Sequence, residues 1–177
     1  MNLEQTTLPI IFKEVNPDNP QLLSEVKKLF VSSFPEYERH SFSSLFSVKR
    51  HNFLAALNDG KVVGMLFTLE NDEFLYVLYL AVHPDMRGSG IGTTLLDKAR
   101  KLASGRPVIL DIEKPYAEHS EFTQRKLRKH FYEKNGFADS GMGAAPWHGD
   151  VYITMIEKSQ TICRSQYNAL LSRSGLE

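Results

Sequence analysis

One cysteine in a chain of 177 residues excludes an internal disulfide framework and a multi-cysteine metal centre, and Cys163 reads as a lone buried or idle thiol suited to a reducing compartment. Net charge is missing too. With 21 Lys and Arg against 21 Asp and Glu, no broad field draws the protein to nucleic acid or to an anionic membrane. No apolar run reaches the roughly 18 residues that a membrane-crossing helix needs. The opening MNLEQTTLPI lacks the basic patch and apolar stretch of a secretory leader. The histidines, His83 and His148 among them, lack metal-ligand spacing, so no metal is expected. These absences predict a cytoplasmic protein, monomer or homodimer, whose partners are small molecules or specific proteins.

What is present suits a single globular domain: 42% of residues are apolar, 24% charged and 11% aromatic. A first strand is expected over residues 8–15. Asn19 before Pro20 reads as a helix N-cap with proline at the first helical position. Leu22, Leu23, Val26, Leu29 and Phe30 follow at helical spacing until Pro35. SFSSLFSVKR, residues 41–50, is read as a short helix. FLAAL, KVVGMLFTLE and EFLYVLYLAV read as an antiparallel meander with turns at Asn58-Asp59-Gly60 and Glu70-Asn71-Asp72. The last of these, Phe74 to Val82, is apolar on both alternating faces and is therefore placed at the centre of the sheet. A helix from Gly90 to Ala103, a strand VILDIE, a helix from Glu121 to Asn135 capped at Gly136, and a strand VYITMIE complete the domain. Residues 8–157 form that domain in this reading, and residues 158–177 are a polar tail.

The informative stretch is VHPDMRGSGIGTTLLDKARKL, residues 82–102. The first N–H groups of a helix have no partner within it and carry partial positive charge, so this end can hold a phosphate. Gly88, Gly90 and Gly92 let backbone close around an anion, and Arg87 adds a forked donor. A P-loop requires Gly-Lys-Ser/Thr, but Gly92 is followed by Thr93. The dinucleotide fingerprint fits better, with Gly88 and Gly90 in place and Asp111 about twenty residues on, yet Thr93 stands where its third glycine belongs. A dinucleotide-binding oxidoreductase domain thus stays open as an alternative.

Arg87-x-x-Gly90-x-Gly92, after a strand ending Leu80-Ala81-Val82 and opening a helix, resembles the acetyl-CoA motif of the GNAT N-acetyltransferase superfamily. HFYEKNGF, residues 130–137, resembles that family's second signature. The resemblance spans residues 8–157 and implies an α/β fold whose mixed, mostly antiparallel twisted sheet splays at the central strand, with helices on both faces. It implies that the backbone of Leu80, Ala81 and Val82 pairs with the pantetheine of acetyl-CoA. The amides of Arg87, Gly88, Ser89, Gly90, Ile91, Gly92 and Thr93 would hold the pyrophosphate. Acetyl would pass directly to a primary amine of a small molecule or peptide in a ternary complex, without a cysteine nucleophile; a noncatalytic acyl-CoA sensor is the other reading.

By the same resemblance Tyr132 is the general acid that protonates the departing thiolate. The general base is less defined, because Leu75-Tyr76-Val77-Leu78-Tyr79 lacks the carboxylate that many relatives carry in the second half of this strand. Glu113 is the first candidate, followed by Glu73 and His119. Arg125 stands where the family often has Asn, within a basic run RKLRKH that reads as a solvated helix face or, under the resemblance, as a contact for the coenzyme's 3′-phosphate. Acceptor specificity is expected from FPEYERHS and MGAAPWHG, with Glu36, Glu38 and Trp147 able to attract and cover a cationic amine.

Overall fold

The structure, a computed structural model, describes residues 9–147 and 149–174. Leu8, where the first strand is expected to begin, the leader expectation for the residues before it, and His148 lie outside the described residues.

Local chemistry sets most element boundaries. The Asn19 side chain accepts a hydrogen bond from the Leu22 N–H at 3.1 Å, Pro20 occupies the first turn, and α1 (Pro20–Ser33) buries Leu22, Val26, Leu29 and Phe30. Residues 41–50 do not form the expected helix. They make one 3-10 turn at Ser44–Ser47, with a second at Glu36–Glu38. Ser44 donates its hydroxyl to the Ser41 carbonyl at 2.8 Å and its N–H to the Ser41 hydroxyl at 3.2 Å, and such local bonds compete with a continuing helix.

Strands β1 (Ile11–Glu14), β2 (His51–Asn58), β3 (Lys61–Glu70) and β4 (Leu75–Val82) pair antiparallel in sequence order. Asp59 and Gly60 both have positive φ, 48° and 74°, as a tight hairpin requires. The Asn71 side chain shapes the next turn by accepting from the Glu73 and Phe74 N–H groups, each at 2.9 Å. Then come α2 (Ile91–Ala103), β5 (Val108–Glu113), α3 (Phe122–Lys134), β6 (Phe137–Asp139), β7 (Ala145–Trp147), β8 (Asp150–Glu157) and α4 (Arg164–Ser174). The eight-stranded sheet runs β1-β2-β3-β4-β5-β8-β6, with β7 also paired to β8.

The sheet parts at its centre. β4 and β5 form the parallel pair, and they pair only at Leu75–Val108, Tyr76–Ile109 and Val77–Leu110. Past that point β4 follows β3 as far as Val82, while β5 follows β8 as far as Glu113. Phe67 pairs with Tyr79 and Thr68 with Val77, so Leu78 is an extra residue at the vertex of the fork. A bulge there adds the bend and twist that drive the strands apart.

Helices cover both faces. α1 and α4 pack on one, over Phe53, Phe67, Tyr76 and Tyr79; α2 and α3 pack on the other, over Leu66, Leu75, Val77 and Leu110. The polar composition of residues 158–177 gives no sign of an element, yet residues 164–174 form α4, whose Leu170 is buried in the core.

Candidate active site

The segment that turns from β4 into α2 is shaped by its glycines. Gly88 and Gly90 have φ of 78° and 88°, and Gly90 caps α2 in the left-handed region. A Cβ added to either would meet open space, so approach to this backbone is free. The first bond of the α2 ladder runs from the Thr94 N–H to the Gly90 carbonyl at 3.0 Å, which leaves the amides of Ile91, Gly92 and Thr93 outside that ladder. Gly92 has another reason to lack a side chain: a Cβ there would lie 2.9 Å from the Phe131 ring.

The fork and this segment share one cavity of about 1460 Å³. Leu80, Ala81, Val82, Arg87, Gly88, Gly90, Gly92, Thr93, Glu113 and Tyr132 all line it. Two residues named with them do otherwise. The Ile91 side chain is buried beneath α2, and the Ser89 hydroxyl donates to the Met86 carbonyl at 2.5 Å. The open edge of β4 and the start of α2 at Gly90, Gly92 and Thr93 therefore face the same space. Such a site suits an extended amide-bearing ligand ending in a phosphate.

Tyr132 is buried, with ring centroids of Phe131 and Phe137 at 5.0 and 5.9 Å. Burial pushes its hydroxyl up to about 12; Arg128 opposes the rise and Glu113 adds to it. Glu113 is buried and forms an ion pair with Arg128. The other base candidates lie elsewhere: exposed Glu73 accepts from Gln166 of α4 at 2.9 Å, and His119 sits 3.0 Å from Arg125.

Arg125 corrects the reading of RKLRKH as a solvated face. Its side chain is 2% exposed and holds Asp150, 9% exposed, through both terminal guanidinium nitrogens, Nη1 and Nη2. The helix presents this one position inward, and Asp150 supplies the charge that burial of an arginine requires.

The segment 35–40 lines the same cavity through Pro35, Tyr37, Glu38 and His40. Tyr79 fixes it, donating to the Glu38 carbonyl and accepting from the His40 N–H, both at 2.9 Å. The Glu38 carboxylate is half-buried, lines the cavity, and accepts from the Tyr152 hydroxyl. Burial pushes its carboxyl up from the usual range, and the Tyr152 bond only partly offsets this. Ala145 and Pro146 of the late loop line the cavity too, and α4 contributes Tyr167. Tyr152 and Tyr167 escape sequence reasoning because neither lies in a recognisable motif. Among the described residues no helix is long and apolar enough to cross a membrane, and no group of three or more His, Cys, Asp or Glu could hold a metal ion.

A family model described as acetyltransferase (GNAT) domain matches residues 49–139. A protein of Bacillus subtilis named "Putative acetyltransferase YjbC" is 36% identical over 80 residues, covering 45% of this chain and 38% of that protein, so the match spans well under half of the relative's length. Among solved structures, a "Putative acetyltransferase from GNAT family" from Bacteroides thetaiotaomicron superposes with a TM-score of 0.73 at 22% identity, covering 92% of this chain and 94% of its own. An aminoglycoside 6'-N-acetyltransferase complexed with coenzyme A gives 0.65 at 20% identity, covering 83% of this chain and 96% of its own. These two likenesses are of fold.

Proposed function

The chain belongs to the GNAT acetyltransferase family, and on that footing we propose that it transfers acetyl from acetyl-CoA to a primary amine of a small molecule, directly and within a ternary complex. One observation carries the reading: the unpaired edge of β4 beyond Val77 and the free amides at the start of α2 open on a single cavity that also holds Tyr132. The dinucleotide alternative loses support, because its doubly wound parallel sheet is replaced here by an antiparallel sheet with a single parallel pair.

The chain's groups divide the work. Arg87 and the amides from Gly88 to Thr93 hold the diphosphate, and the backbone of Leu80 to Val82 holds the pantetheine amides. Bound acetyl-CoA supplies the activated thioester. Tyr132, whose hydroxyl lies near 12, is protonated at neutral pH and can give its proton to the departing sulfur. The acceptor amine must lose a proton, since alkylamines titrate near ~10.4. Glu113, the sequence's first candidate, is engaged by Arg128. In this reading the base is therefore Glu38, a cavity-lining carboxylate that burial makes more basic and whose bond comes from a neutral hydroxyl.

Thiol release from acetyl-CoA, read across alkylamines, polyamines, aminoglycosides, amino acids and peptides, tests the proposal. We expect at least one small amine to release thiol, with Tyr132→Phe lowering kcat by about 100-fold and leaving acetyl-CoA affinity unchanged. Glu38→Gln should remove the acidic limb of the pH–rate profile. Coenzyme A binding with no thiol release for any amine would support a sensor instead.

A further inference from the structure

Asp111 is the first β5 residue past the last β4–β5 pair, and it lines the cavity at the vertex of the fork. Two hydroxyls reach the same oxygen, Oδ2: Tyr76 from β4 at 2.8 Å and Tyr167 from α4. Oδ1 accepts no hydrogen bond among the described residues, and no cation pairs with this half-buried carboxylate among them. Arg164, the cation of α4 closest in sequence to Tyr167, donates instead to the carbonyls of Met142 and Gly143 at 2.6 and 3.1 Å and lies over the Tyr167 ring. This partly buried carboxylate is fixed by two neutral donors and lacks a counter-ion among the described residues. The rings of Tyr76 and Tyr167 stand edge to face at 5.9 Å, and their faces favour cations.

We infer that Asp111, held between Tyr76 and Tyr167, is a second recognition point for the acceptor and receives an ammonium group remote from the nitrogen that is acetylated. The acceptor class is thus a diamine or polyamine, and α4 is the element that completes the pocket. The inference rests on the acetyltransferase reading and adds to it. α4 is fastened by polar bonds to three places besides its buried Leu170: Tyr167 to β5, Arg164 to the loop after β6, and Gln166 to Glu73. The tail thus ties together the strands and loop around this end of the cavity.

The test compares kcat/KM for diamines from ethylenediamine to hexamethylenediamine with the monoamine of equal length. A charge-assisted hydrogen bond in such a site corresponds to a preference of about tenfold or more for the best diamine. Asp111→Asn keeps the shape, removes the charge and should bring that ratio to about one; Tyr167→Phe should lower it in part. A merely structural role would depress both amines alike and leave the ratio intact, and acetyl-CoA affinity reports whether each variant is folded. Retention of the ratio in Asp111→Asn, or a wild-type ratio near one, overturns the inference while the acetyltransferase reading stands. Failure of every amine to release thiol overturns both.

Discussion

Gly90 and Gly92 belong to one motif and are glycine for different reasons. Gly90 adopts φ of +88° with open space around it, so its role is conformational and it leaves room for a ligand. Gly92 has ordinary helical geometry but a Cβ there would lie 2.9 Å from the Phe131 ring, so its role is close packing of α2 against α3. A glycine-rich turn that opens a helix is legible in the sequence, but the second reason is not, because it depends on a residue 39 positions away. We expect Gly92→Ala to displace Phe131 and its neighbour Tyr132, costing about 1–3 kcal/mol in denaturant unfolding and lowering turnover. Unchanged stability would show that the ring yields freely. Arg125 teaches the same lesson: nothing in RKLRKH marks one position as buried, since its partner Asp150 is supplied by a distant strand.

At the scale of elements, the sequence revealed those whose signals are local. α1 has a side-chain cap, a proline and an apolar stripe, and β3 and β5 begin and end at the residues their patterns indicate. β6 and β7 are three residues each, too short for a period to register. α4 is mostly polar: among its described residues Leu170 is buried and Tyr167 and Leu171 are partly so, which leaves its helical face a weak apolar signal. The Leu170 side chain anchors the element. Leu170→Ala should lower stability by about 2–3 kcal/mol in chemical denaturation and expose residues 164–174 to proteolysis; a loss below about 0.5 kcal/mol, within the range of ordinary surface changes, would mean that α4 docks by its polar bonds alone.

Across the whole molecule, two helix pairs hold opposite faces of a sheet that opens in its middle, and the Arg125–Asp150 pair ties α3 to β8 on the far side of that opening. The Arg125 guanidinium holds the Asp150 carboxyl below its usual range. A depressed folded value means that this stabilisation is complete above the unfolded value, near ~3.9, and is lost as pH falls through the folded value. Acid unfolding should therefore steepen below about pH 4. Asp150→Asn should cost about 3–5 kcal/mol at neutral pH and flatten that acid slope; an unchanged slope would assign acid lability to other carboxylates.

The most direct test is amide hydrogen exchange over residues 78–93, with and without coenzyme A. If the parted edge of β4 and the start of α2 grip the pantetheine and diphosphate, Leu78–Val82 and Gly88–Thr93 will exchange more slowly on binding, while β1 and β2 stay unchanged. Bound coenzyme A with no protection in these two segments would contradict the account.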